Sequence, residues 1–164
     1  MKKYILSILF MSCFLLLHAQ KITRGSFASL AKERRVSVII DYSESKIDYV
    51  PFDVFLESEE NWDSGYREIL MKFVKAANQS GGGMTYSSKE EADSYKLVFK
   101  AKKVDRDGET SGSLVLLDKE GNIVGIADGF NANGGKFGSQ MNLMGDAAER
   151  LGKKVARFIV FNLK

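Results

Sequence analysis

Three strand patterns follow one another between residues 95 and 130, with only short turns between them. YKLVFKAKKV at 95–104 alternates apolar side chains with lysines, as a half-buried strand does. SLVLLD at 113–118 and IVGIADGF at 123–130 are the next two strands, and the turn sequences DRDGET and KEGN precede them. Strands joined by such turns pair antiparallel. The stretch therefore predicts an antiparallel three-stranded meander.

Two long amphipathic helices flank the meander in the sequence. Apolar residues recur at three-to-four-residue spacing over 62–79, with Trp62 and Tyr66 on the apolar face, Asn61 as the N-cap and the glycines at 81–83 as the stop. The second helix is predicted over 139–163. A line of small residues on it predicts close packing against the sheet: Gly145, Ala148, Gly152 and Ala156.

A β-branched run before the first helix completes the pattern. VSVIIDY at 36–42 predicts a buried strand, and 21–35 predicts a lead-in with a helical turn around 27–34. A right-handed crossover through the first helix would make the strand at 36–42 parallel to a later strand. The sequence therefore predicts an α+β fold: a two-layer sandwich in which a mixed sheet contains the antiparallel meander and two helices pack on one face.

The first nineteen residues, MKKYILSILFMSCFLLLHA, have the pattern of a secretory signal peptide. Two lysines precede an apolar run of about fourteen residues, which is shorter than the roughly twenty residues that span a bilayer. We therefore expect a signal peptide over 1–19 and a single domain over 20–164. We also expect export to the periplasm or the extracellular space, with no transmembrane segment after signal removal. Four apolar residues follow Cys13, which argues against a lipid anchor there.

Removal of the signal peptide would leave a chain without cysteine or histidine, because Cys13 and His18 are the only ones. Such a chain has no disulfide, no zinc site of the usual kind and no Ser–His–Asp or Cys–His nucleophile. Acid–base chemistry would fall to carboxylates, lysines and tyrosines. We therefore predict no catalytic residues, no metal and no cofactor.

The charge of the exported chain is nearly balanced. Residues 20–164 carry 22 basic and 21 acidic side chains, a net charge of +1, which removes the simplest electrostatic case for nucleic acid. The α-β-β-β-α order over 62–163 is similar to that of a double-stranded-RNA-binding domain. The lysine-rich start of that family's second helix is missing, however, so no nucleic-acid partner is expected.

The order of elements resembles that of several periplasmic domains. In the amino-terminal domain of TolB, an Ala-Asp-Tyr-like sequence opens a strand after a helix. Here Ala92, Asp93 and Tyr95 stand at that place, with Ser94 inserted. The resemblance covers about 36–163. More closely, the chain resembles an uncharacterised family of small secreted bacterial proteins, and this resemblance implies no catalytic residues.

DGFNANGGKFGSQMN at 128–142 has the context of a phosphate-binding loop, since it lies between a strand and a helix. A glycine stands where the P-loop lysine is needed, and Phe137 stands where the hydroxyl should follow the lysine. The stretch therefore predicts a strand-to-helix connection capped by Ser139. Weak anion binding at the helix N-terminus by Lys136, Gly138 and Ser139 stays open as an alternative.

Four aromatic residues flank Pro51 in an irregular stretch. They are Tyr42, Tyr49, Phe52 and Phe55. They would mark a partner surface if two or more were exposed beside a groove, and would otherwise dock on the core.

The acidic stretch DVFLESEENWD at 53–63 suits the N-terminal side of the first helix, where the helix dipole favours negative charge. DRDGE at 105–109 has acids at alternate positions without the EF-hand spacing, and it predicts a solvated turn.

These features favour a non-catalytic binding or adaptor domain for a protein or an envelope component. One alternative is a carboxylate-dependent hydrolase acting on glycan or cell-wall material, which would need two inward carboxylates in a deep cleft. The other is weak anion or small-ligand binding at the N-terminus of the second helix.

Overall fold

The structure is a computed structural model that describes residues 20–80, 82–91 and 93–163. The predicted signal peptide at 1–19, with Cys13 and His18, lies outside the described residues, and so does Ala92 of the TolB-like strand start. Within the described part, a mixed sheet and three α-helices form an α+β fold, as predicted.

The described residues form a mixed eight-stranded sheet. Its strands are β1 (Lys21–Gly25), β2 (Arg35–Asp41), β3 (Lys46–Ile47), β4 (Val50–Pro51), β5 (Thr85–Ser87), β6 (Lys96–Val104), β7 (Thr110–Leu117) and β8 (Ile123–Ala132). The main order across the sheet is β1-β8-β7-β6-β2-β5, and the hairpin of β3 and β4 attaches to β6. Strands β6, β7 and β8 are the predicted antiparallel meander. Strand β1 is antiparallel to β8, whereas β2 is parallel to both of its neighbours.

The described helices are α1 (Phe52–Ser58), α2 (Trp62–Ser80) and α3 (Gln140–Asn162). Helices α2 and α3 are the two predicted helices, and they pack side by side on one face of the sheet. The sequence predicts neither α1 nor β1. The stretch predicted as a lead-in with a helical turn contains β1 followed by a 3-10 helix at Ala28–Lys32.

The two faces of the sheet are packed differently. Alternate residues of the central strands face α2 and α3 and form the main core, among them Val36, Val38, Ile40, Leu97, Phe99, Leu114 and Leu116. Each such side chain, when fully buried, contributes about 1.5–3 kcal/mol. On the opposite face, Ile39, Val98 and Val115 align across three strands, outside the main core. The helices therefore cover one face, and a short apolar row remains on the other.

Helices α2 and α3 come into backbone contact at Gly152. A Cβ atom at this position would collide with the carbonyl oxygen of Phe73 and would lie 3.2 Å from the backbone nitrogen of Ala77. At Gly152 the small residues of α3 therefore allow α2 to come into close contact. The prediction that these small residues pack against the sheet was wrong at this position. Gly145, from the same line, faces the flexible end of the Lys72 side chain, with Cδ at 3.1 Å.

We predict that Gly152→Ala lowers the free energy of unfolding by about 2 kcal/mol, because the added methyl group meets the backbone of α2. Gly145→Ala is the matched control. Its methyl group meets only a mobile side chain, and alanine favours a helix over glycine by about 1 kcal/mol, so stability should stay equal or rise. Urea denaturation of both variants measures the difference. Equal effects of the two substitutions would contradict this helix contact.

Candidate binding site at the open edge of strand β2

In the described part of the chain, strand β2 has no partner strand along the second half of one edge. Strand β5 pairs with β2 at Arg35–Ser37 and then ends. The Ser37 N–H donates to the Tyr95 carbonyl on the β6 side, so the alternation of the strand turns the N–H of Ile40 towards the other edge. There the phenol of Tyr66 from α2 lies beside Ile40. A helix side chain thus takes the place of a neighbouring strand.

Aromatic side chains cover this open edge. Trp62 lies at their centre, and the ring centroids of Phe52 and Tyr42 are 4.9 and 5.6 Å from its own, at interplanar angles of 69° and 87°. Phe55 and Tyr66 lie at 6.0 and 5.8 Å from Trp62. Edge-to-face pairs contribute about 0.5–1.5 kcal/mol each beyond their burial. We call these five residues the aromatic cluster.

The aromatic cluster opens on a cleft of about 410 Å³, which we call the aromatic cleft. It is lined by Ile39, Ile40, Asp41, Tyr42, Ser43, Phe52, Trp62, Tyr66 and Val98. Tyr42 is 3% exposed, whereas Phe52, Trp62 and Tyr66 are half-buried. Because Ile40 faces the helices while Ile39 and Val98 lie on the opposite face, the cleft wraps around the edge of the sheet.

Asp41 supplies the charge of the aromatic cleft. Burial disfavours its ionised form, but the Ser43 hydroxyl and backbone N–H donate to its carboxylate at 2.6 and 2.9 Å, and Lys100 lies 3.8 Å away. The pKa of Asp41 therefore lies below its ordinary value. Burial raises the pKa of Tyr42 and of Tyr66, and the charge of Asp41 raises that of Tyr66 further. At neutral pH the cleft thus holds one carboxylate and two neutral phenols.

Exposed apolar side chains continue from the cleft onto the β3–β4 hairpin and α1. Of the eight large apolar side chains that are exposed in the described residues, four lie within 49–56: Tyr49, Val50, Val54 and Leu56. We call these four the apolar rim. Helix α1 has no buried residue and no side-chain N-cap, and it rests on Trp62 through Phe52 and Phe55. An element held by so few contacts can adjust to a partner.

Tyr49 stands out within the apolar rim. It is 75% exposed, and its φ of 69° is in the left-handed region. A non-glycine residue in that region costs about 1–2 kcal/mol, and such strain concentrates at functional sites. The Lys103 ammonium lies 5.5 Å from the ring centroid. The hairpin therefore holds an aromatic side chain out in solvent at a cost in stability.

Negative charge is concentrated in the same part of the chain. Residues 41–68 contain nine acidic and two basic side chains, a net charge of −7, whereas the rest of 20–164 has a net charge of +8. Of these nine acids, Asp41 alone takes part in an ion pair within the described residues. The acids flank Phe52 and Trp62 in the sequence. The segment that forms most of the aromatic cleft therefore has an excess of negative charge, next to Lys100 and Lys103 of β6.

The structure places the four predicted partner-surface residues in one region. Tyr42, Phe52 and Phe55 meet in the aromatic cluster, and Tyr49 belongs to the apolar rim. Tyr42 is buried, so it supports the cleft from below and offers little surface of its own. Trp62 and Tyr66, which the helical periodicity assigns to a core-facing stripe, are the site residues that the sequence does not reveal as such.

The predicted anion-binding residues lie elsewhere, at the start of α3. Ser139 is the N-cap of α3, as predicted, and its hydroxyl accepts a first-turn backbone N–H at 3.4 Å. Lys136 and Gly138 are exposed. The preceding loop is held by Arg150, which donates to the Asn133 carbonyl at 2.6 Å. Anion binding by these residues stays a prediction.

The acidic stretch at 105–109 forms a hairpin turn. The Asp105 carboxylate accepts hydrogen bonds from the backbone N–H groups of Asp107 and Glu109 at 3.0 and 2.9 Å.

Across residues 20–163, apart from the two undescribed positions, no group of three or more His, Cys, Asp or Glu side chains could hold a metal ion. None of the helices in the same residues is long and apolar enough to cross a membrane.

Comparison with known proteins shows only distant similarity. No protein-family model matches the sequence, and no curated protein matches it. Two matching structures are PelC dodecamers from Paraburkholderia phytofirmans. One, a point variant, has 16% identity and a TM-score of 0.43 and covers 86% of this chain and 98% of the other. The second has 14% identity and a TM-score of 0.42, with coverages of 84% and 96%. An uncharacterized protein matches at 14% identity and a TM-score of 0.41, with coverages of 77% and 92%. Similarity at this level assigns no function to the chain.

The buried phenol of Tyr42 predicts a loss of stability at alkaline pH. Its folded-state pKa is raised above the ordinary value of 10.0, so the unfolded chain releases this proton first and stability falls as the pH rises past 10. We expect Tyr42→Phe to reduce that fall by about 1 kcal/mol at pH 11, measured by urea denaturation at pH 8 and 11. Tyr49→Phe, at an exposed side chain, is the control. An unchanged alkaline fall in Tyr42→Phe would contradict the burial of this hydroxyl.

Proposed function

We propose that this chain is a non-catalytic binding domain that engages a protein or an envelope component through the aromatic cleft. The observation that carries the proposal is the partly exposed aromatic cluster at an open strand edge, bordered by the apolar rim and by uncompensated acidic side chains. The export predicted from the first nineteen residues is part of the same proposal, since it sets where the partner would be met.

The cleft has the composition that binding sites favour. Aromatic side chains give a large contact area with few rotatable bonds, so little conformational entropy is lost when a partner orders them. Phe52, Trp62 and Tyr66 are half-buried and already packed on one another, so they are arranged before a partner arrives. The unpaired edge at Ile40 adds backbone groups that an extended segment could contact.

The negative charge around the cleft restricts the partners that could bind there. Asp41 is ionised in the cleft, and the surrounding segment has a net charge of −7. A partner that places an apolar side chain against Trp62 and basic side chains around it would satisfy both features. A strongly acidic partner would be repelled.

The hydrolase alternative gains no support at this cleft. Its mechanism needs two carboxylates with separated pKa values, one of them raised. The lining of the aromatic cleft contains one carboxylate, Asp41, and the pKa of that group is lowered. A carboxylate that accepts from Ser43 and lies 3.8 Å from the Lys100 ammonium stays ionised and does not suit the role of proton donor.

The proposal is tested by placing a photo-crosslinking amino acid, p-benzoylphenylalanine, at position 52 and expressing the variant in its own host. Irradiation of intact cells should produce an adduct larger than the chain. Raising the salt concentration before irradiation should reduce its yield several-fold, because screening weakens the attraction of a basic partner.

The matched control carries the same amino acid at Met71, an apolar side chain of α2 that is 64% exposed away from the cleft. Position 71 should give little or no adduct. The absence of adduct at position 52, or equal adducts at both positions, would overturn the proposal.

A further inference from the structure

The C-terminal part of α3 displays the chemistry that the aromatic cleft requires. Phe161 is 77% exposed, and Arg157, one turn before it, is also exposed. Within the described residues, the ion pairs do not include Arg157. Both side chains border a groove of about 560 Å³ between α3 and β1, beside Ile22. This surface combines the exposed aromatic ring of Phe161 with the positive charge of Arg157.

The two surfaces lie at opposite ends of the sheet. The basic groove borders β1, which is the first strand in the sheet order, whereas the aromatic cleft borders β2 near the last. Four strands from β8 to β2 follow β1 across the sheet, and neighbouring strands are about 4.8 Å apart. A single molecule therefore cannot bring its own Phe161 into its own cleft.

We propose that the aromatic cleft of one copy binds the Phe161–Arg157 end of α3 from a second copy. The inference rests on the proposed function, because it names the partner of the same cleft. Phe161 would pack against Phe52 and Trp62, and Arg157 would face the acidic side chains of 53–63. The net charge of −7 for 41–68, opposite the positive charge of the exposed Arg157, makes such a contact attractive.

The contact would join unlike surfaces, so it is heterologous. An open assembly of this kind keeps one free cleft at one end and one free Phe161 at the other. Further copies can add until the assembly closes into a ring or continues as a filament. We therefore expect species larger than a dimer.

The test is sedimentation velocity of the protein in the form its host produces, over a range of concentrations at low and high salt. The wild type should self-associate beyond the dimer, and high salt should weaken the association. Arg157→Glu combined with Phe161→Ser should weaken it about tenfold or more, and so should Phe52→Glu. Met71→Glu and Phe137→Ser, at exposed side chains outside both surfaces, are the matched controls and should associate as the wild type does.

Mixing the two variants gives the decisive result. The α3 variant keeps its cleft and the cleft variant keeps its α3 end, so an equimolar mixture should form a one-to-one dimer that grows no further. Glu57→Lys with Glu60→Lys, both exposed, replaces Phe52→Glu should the latter fail to fold.

A wild type that remains monomeric at every concentration would overturn the self-association. The proposed function would still stand if position 52 crosslinked to a different protein. Association that is unchanged in both variants would likewise overturn the inference, because the contact would then use other surfaces.

Discussion

The early end of strand β5 determines the character of the site. It pairs with three residues of β2 and stops, so the chain must cover the rest of that edge with side chains. The phenol of Tyr66 lies beside Ile40, and the rings of Tyr42, Phe52 and Phe55 surround Trp62. A full neighbouring strand would have closed the edge and left no cleft. Side chains close it incompletely, and the remaining opening is lined by aromatic rings.

The acidic side chains around the cleft affect which molecules can approach it. The acids of 41–68 lie almost entirely outside ion pairs of the described structure, so they destabilise one another and repel acidic molecules. Such a concentration is a cost to the isolated fold that a basic partner would relieve. The left-handed conformation of Tyr49 is a second cost in the same region. Both costs fall in the region that contains four of the eight exposed large apolar side chains of the described residues, as the proposed association surface would require.

Much of the fold could be predicted from the sequence, because the elements with one buried face leave a regular pattern. The meander, β2 and the two long helices all alternate or repeat in this way. Strand β1 and helix α1 show no such pattern, since Ile22 is the one half-buried residue of β1 and α1 has no buried residue at all.

The candidate site was predicted in part. Four of its aromatic residues are grouped around Pro51, whereas Trp62 and Tyr66 fall on a helical stripe that looks like ordinary core. The cleft itself depends on which residues of β2 pair with β5, and no local pattern encodes that long-range pairing.

The open edge of β2 can be measured directly by NMR amide hydrogen exchange. The N–H of Ile39 faces β6, whereas that of Ile40 faces the open edge beside Tyr66. We expect slow exchange at Ile39 and faster exchange at Ile40. Equal protection of the two amides would show that the edge is closed and would contradict the open edge of β2.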